Sequence, residues 1–141
     1  MSHIIDISLI KGETTGGISM RKFKKAWDFC KIEYSEEKMS KQAKAFVRCF
    51  KEMIKYEVGE KYNAKVSITP GFYSLSGLIE KEGYKLELQY NIPKDKKINL
   101  RDSKSVSYRL IHDEYKTPDN LCSILDIPQK FNFLLEYGID W

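Results

Sequence analysis

The stretch Ser35–Lys61, SEEKMSKQAKAFVRCFKEMIKYEVGEK, decides the first half of the fold. At 100° per residue, Met39, Ala43, Phe46, Val47, Phe50, Met53, Ile54 and Val58 share one apolar stripe with the i, i+3, i+4, i+7 spacing of an amphipathic helix. Lys41, Lys44, Arg48, Lys51 and Lys55 fall almost opposite. The spacing predicts a helix over 35–61, on the order of 37 Å long at 1.5 Å per residue. Ser35 is its expected N-cap, with Glu36 and Glu37 in the first turn, where the helix dipole favours negative charge. Gly59 or Asn63 is expected to end it in a left-handed conformation.

Upstream, Met20, Phe23, Trp27, Cys30 and Tyr34 recur at steps of three and four, which predicts a first helix capped by Ser19. His3–Ile10 alternates loosely and reads as a strand, followed by a loop through Gly16 and Gly17.

After Lys61 the period changes to two. Strands are expected over 64–69, 72–80, 84–92 and 105–115, with a hairpin turn at Lys81–Gly83 and a charged loop after Pro93. Tyr73, Leu75, Gly77 and Ile79 share one face of the second strand, and Tyr84, Leu86, Leu88 and Tyr90 one face of the third. Such alternation belongs to an antiparallel sheet with one wet side. Gly77 marks a bulge or a close approach.

Towards the C-terminus, Thr117 and Pro118 fit a helix start. Leu121, Cys122, Ile124 and Leu125 would face inward from that helix, which Ile127–Pro128 breaks. Phe131, Leu134, Leu135 and Tyr137 then form the inner face of a last helix before Gly138. Segregated blocks of this kind predict one α+β domain over 1–141. Its antiparallel sheet of three to five strands packs against two N-terminal helices, with short C-terminal helices.

The chain has 141 residues, is 42% hydrophobic and carries a net charge of +4. That suffices for one core. Residues 1–70 hold 14 Lys+Arg against 9 Asp+Glu, so the positive excess lies in the helical half. An acidic partner is therefore expected there, although a solvated helix face would give the same pattern. No apolar run reaches membrane-spanning length, and Met1–Ile10 lacks the pattern of a secretory signal, which predicts a cytoplasmic protein. Cys30, Cys49 and Cys122 show neither CxxC nor Cys/His spacing, so reduced thiols are expected rather than zinc or a disulfide framework.

Chemistry is sparse. His112, Asp113 and Glu114 suggest a metal or acid/base cluster, but three consecutive strand residues cannot converge on one ion. No nucleophile elbow, phosphate loop or dinucleotide fingerprint is present. No catalytic residue, metal or cofactor is expected. Phe72, Tyr73, Tyr84, Tyr90, Tyr108 and Tyr115 could stack nucleobases, yet they suit the packing of the sheet against its helices better.

The segment Phe72–Gly83, FYSLSGLIEKEG, resembles one found in small accessory proteins of Firmicute phages and mobile elements. Tyr108–Tyr115, YRLIHDEY, is similar to the second segment shared by that group. The resemblance covers residues 64–116. The Gly/Asn-rich loop that follows in the group is shortened here to Lys116–Asn120. Several such proteins are encoded beside, or act as, anti-CRISPR inhibitors. The resemblance implies an intracellular protein that acts by binding, and it supplies no catalytic residue.

Three readings follow. The first is a non-enzymatic inhibitor that docks on a host defence protein or ribonucleoprotein, such as a CRISPR effector, through Lys41, Lys44, Arg48, Lys51 and Lys55. The second is a direct nucleic-acid binder using the same basic face of helix 35–61. The third is a nuclease built around His112, Asp113 and Glu114.

Overall fold

A computed structural model describes residues 17–139. The strand expected over His3–Ile10 lies outside the described residues. The chain runs through α1 (Met20–Trp27), α2 (Lys41–Ile54) and a π-helical extension (Lys55–Glu60). Then come β1 (Lys65–Gly71), β2 (Ser74–Lys81), β3 (Tyr84–Asn91), β4 (Val106–His112), β5 (Tyr115–Lys116) and β6 (Asn120–Cys122). A 3-10 turn (Ile124–Asp126) leads into α3 (Ile127–Tyr137). The fold is α+β. Among the described residues, six antiparallel strands form one sheet in the order β1-β2-β3-β4-β5, with β6 also paired to β4.

The sheet is simple because its turns are local. Glu82 and Gly83 both take positive φ, the conformation of a two-residue hairpin whose twist matches its strands. Its inner face carries Ile68, Leu75, Ile79, Leu86, Leu88, Tyr90, Val106 and Leu110, all buried, as the alternation predicts. A Cβ at Gly77 would meet Ile68 Cδ1 at 2.8 Å and Leu88 Cγ at 3.0 Å, so this glycine admits neighbouring side chains.

Above that face lies an aromatic stack. Phe46 and Phe50 of α2 rest 5.8 and 6.3 Å from the Tyr90 ring. Phe23 of α1 packs on both at 5.7 and 6.1 Å, and Trp27 meets Phe46 edge-on at 5.3 Å. α3 buries Ile127, Phe131 and Leu134 in the same core, and Phe131 meets Tyr62 at 6.0 Å. The sheet is thus covered from both ends of the chain.

Several boundaries differ from the sequence reading. Helix α2 starts at Lys41, and its cap is Ser40, whose Oγ accepts from the Ala43 N–H at 3.1 Å. Ser35 lies six residues before the helix, and its Oγ accepts from Glu37 N–H at 3.3 Å in a local turn; the Ser35 and Ser40 N–H groups both donate to the Tyr73 hydroxyl, at 2.9 and 3.0 Å. That hydroxyl anchors an irregular segment where helix was expected. Helix α1 is capped by Ser19 as expected but ends at Trp27, short of Cys30 and Tyr34. There the chain turns to pair with 97–98: Phe29 N–H donates to Ile98 O, and Ile98 N–H to Cys30 O.

Asn63, at φ +52°, is the left-handed residue that closes the α2 extension. β4 ends at His112, and Asp113–Glu114 is a turn rather than strand. Where a helix from Thr117 was expected, 117–119 are irregular and Asn120–Cys122 form strand β6. Thr117 is tied to β4, its N–H donating to Leu110 O and its Oγ1 accepting from Leu110 N–H, both at 2.9 Å. Pro128 starts a helix rather than breaking one, in the first turn of α3, where its missing N–H is harmless. Tyr137, expected inside, is exposed.

Candidate binding surface

Helix α2 has two faces of opposite character. Inward, Ala43, Phe46, Val47, Phe50, Met53 and Ile54 are all buried. Outward, Lys41, Lys44, Arg48, Lys51 and Lys55 are all exposed. At 100° per residue the five positions span an arc of about 80°, and 14 residues of rise extend the row to about 21 Å. Among the described residues, none of the five forms an ion pair. Five cations on one rigid rod, each needing counter-charge from solvent or a partner, raise the local potential and attract anionic surface.

Three acidic residues, Glu52, Glu57 and Glu60, lie within or just after this row. Glu57 turns away, its carboxylate accepting the Met20 N–H at the start of α1, where the helix dipole also favours it. Glu52 is half-buried, and of the three only Glu60 is exposed.

The wet face of the sheet contrasts with the stripe. A trough of about 340 Å³ is lined by Ser76, Glu87, Gln89, Ser107, Arg109 and Asp119, among others. Its one cation is already satisfied: Arg109 Nε bonds Glu87 Oε1 at 2.7 Å across the β3–β4 pair, with Asp119 near enough to add to the effect. Both interactions hold the guanidinium firmly charged but leave little field for a ligand.

Compared with known protein families, characterised proteins and solved structures, the chain matches none. The surface must therefore be read from its own chemistry.

The remaining sequence candidates separate clearly. His112 stacks flat on Tyr84, ring centroids 4.0 Å apart, and its Nε2 lies 3.7 Å from Asp113 Oδ2. Asp113 and Glu114 project from the turn beyond it. Among the described residues, no three His, Cys, Asp or Glu side chains gather as metal ligands would. Tyr73, Tyr90 and Tyr108 are buried, which assigns these rings to packing, whereas Phe72 and Tyr115 are exposed. Burial also pushes the Tyr90 and Tyr108 hydroxyls above their ordinary pKa. No helix of the described residues is long and apolar enough to cross a membrane.

A second cationic place went unseen in the sequence. Lys31 and Lys97 face each other across an isolated antiparallel bridge, both exposed. Nothing in the local pattern of either segment announces this pairing, because it depends on where α1 stops.

Proposed function

We propose that the protein is a non-enzymatic binding protein that docks the outer face of α2 on an acidic surface of a host protein. In this reading it acts in the host-cell cytoplasm as an inhibitor resembling the anti-CRISPR proteins of phages and mobile elements, blocking a nuclease or nucleoprotein by occupancy. The observation that carries it is the row Lys41, Lys44, Arg48, Lys51 and Lys55, exposed and without ion pairs among the described residues, on a helix whose other face is locked in the core. A preorganised helix loses little entropy on docking, and a cationic row directs encounter and register.

A second reading is favoured by one observation. With Glu57 turned onto Met20, the row is less diluted by acid than its sequence suggests, so it also suits phosphate. Salt dependence separates the two. Five phosphate contacts on duplex give a log–log slope of roughly −4 to −5, whereas docking on protein gives a shallower slope felt mainly in the association rate. The test is capture of the partner by tagged protein from host extract, with and without nuclease treatment, beside the variant Lys44→Glu/Arg48→Glu/Lys51→Glu. A protein retained after nuclease and lost with the variant supports docking; a partner that vanishes with nuclease supports the second reading.

A further inference from the structure

Among the described residues, six non-glycine residues adopt positive φ: Phe29, Asn63, Tyr73, Glu82, Asp95 and Asp113. Asn and Asp tolerate this region, and Glu82 serves a two-residue hairpin. The two aromatic residues invite comparison. Tyr73, at φ +52°, is 5% exposed, and its hydroxyl accepts two backbone N–H groups, so the fold recovers the conformational cost. Phe29, at φ +62°, is 56% exposed. Its structural bond is a backbone one, N–H to Ile98 O at 2.6 Å, which glycine would make with less strain. The phenyl ring is held out at a position where folding favours a smaller residue.

The same corner carries a second cost. Lys31 and Lys97 stand directly opposite each other, and like charges so placed repel. Neither forms an ion pair among the described residues. The acid beside Phe29 is committed elsewhere: Asp28 Oδ1 accepts from Leu100 N–H at 3.2 Å, Oδ2 lies 3.5 Å from Arg101, and the side chain is only 11% exposed. The other charges within four residues in sequence are Lys25, Glu33, Lys94, Asp95 and Lys96, all exposed, with Lys94 paired to Glu36 at 3.7 Å.

We propose that Phe29, Lys31 and Lys97 form a binding corner for single-stranded nucleic acid, a base stacking on the Phe29 ring and a backbone phosphate bridging the two ammonium groups. An exposed ring two residues from one of two facing lysines, on backbone bonded to the residue next to the other, suits the repeating unit of such a strand, a flat apolar base next to an anion. A phosphate between the lysines removes their repulsion, and a stacked base uses the ring that the fold leaves idle. This corner is separate from the α2 row and stands or falls without it.

The test measures two quantities on each variant: the midpoint of denaturant unfolding, and affinity for a fluorescein-labelled oligothymidylate followed by anisotropy against salt. Phe29→Gly should raise the midpoint and weaken binding roughly tenfold or more, the range of one lost base stack. Lys31→Ala/Lys97→Ala should also raise the midpoint, and should make the log–log salt slope shallower by about 0.7, one phosphate contact on a single strand. The reversal Lys44→Glu/Arg48→Glu/Lys51→Glu, which leaves the corner intact, should retain the dependence on Phe29. Three results would overturn the proposal: wild-type protein that does not bind the oligonucleotide, Phe29→Gly that binds as wild type, or Phe29→Gly that lowers the midpoint and so shows the ring to be structural.

Discussion

The two faces of α2 make opposite demands on the same helix. Its inner face meets the Tyr90 ring and the Phe23 and Trp27 rings, and every apolar group there has a neighbour supplied by the fold. Its outer face carries five cations for which the described residues supply none. The inner face therefore decides stability, and in the proposed function the outer face decides what the molecule meets. Mutations on the two faces should separate these properties almost completely.

The largest effect belongs to the inner face. Phe50 is fully buried between Phe23, Phe46 and Tyr90, and Phe50→Ala should destabilise by roughly 3–5 kcal/mol through lost burial and the cavity left behind. Denaturant titration measures this directly, and a change below about 1 kcal/mol would mean that the aromatic stack is not the centre of the core.

A middle-sized effect is expected at Tyr73, which joins the sheet to the N-terminus of α2. Tyr73→Phe removes the acceptor of two backbone N–H groups, at Ser35 and Ser40, and should cost about 1–3 kcal/mol. Amide exchange at those two residues should quicken more than exchange within α2. Equal protection in the variant would show that water replaces the hydroxyl without loss.

A smaller effect sharpens the contrast through pH. Burial pushes the Cys122 thiol up to about 12 from its ordinary 9.0, with Asp126 adding to the rise and Lys130 opposing it. The folded state then holds its proton where the unfolded chain has released it. This contribution is fully present below about pH 9 and fades as pH climbs towards 12. Cys122→Ala should flatten part of the alkaline fall in stability. In the native wild type, a thiol reagent near neutral pH should modify Cys122 only as the protein opens. Rapid native modification of Cys122 would contradict its burial.

What the sequence made legible follows the same division. Periodicity of two placed Leu75, Ile79, Leu86, Leu88 and Tyr90 on the buried face, and periodicity of 3.6 placed both stripes of α2, because burial alone imposes these patterns. Boundaries set by distant partners were not legible. The helix starts at Lys41 with Ser40 as its cap, and the irregular segment before it is tied by two backbone N–H groups to a hydroxyl more than thirty residues away. Residues 120–122 are strand rather than helix because they pair with 106–108 of β4, beside the Thr117–Leu110 bonds. The five-cation row could be read from spacing, whereas the Lys31–Lys97 pair could not, since only the end of α1 and the return of the chain at 97–98 bring the two together.

The most direct test of the account is one variant measured twice. Lys44→Glu/Arg48→Glu/Lys51→Glu reverses the centre of the row without touching the core. Exposed charges contribute little to folding, so its unfolding free energy should stay within about 1 kcal/mol of wild type. Capture of the nuclease-resistant partner by the same preparation should be lost. A variant that folds normally and still holds that partner would contradict the account and leave the row a solvated helix face.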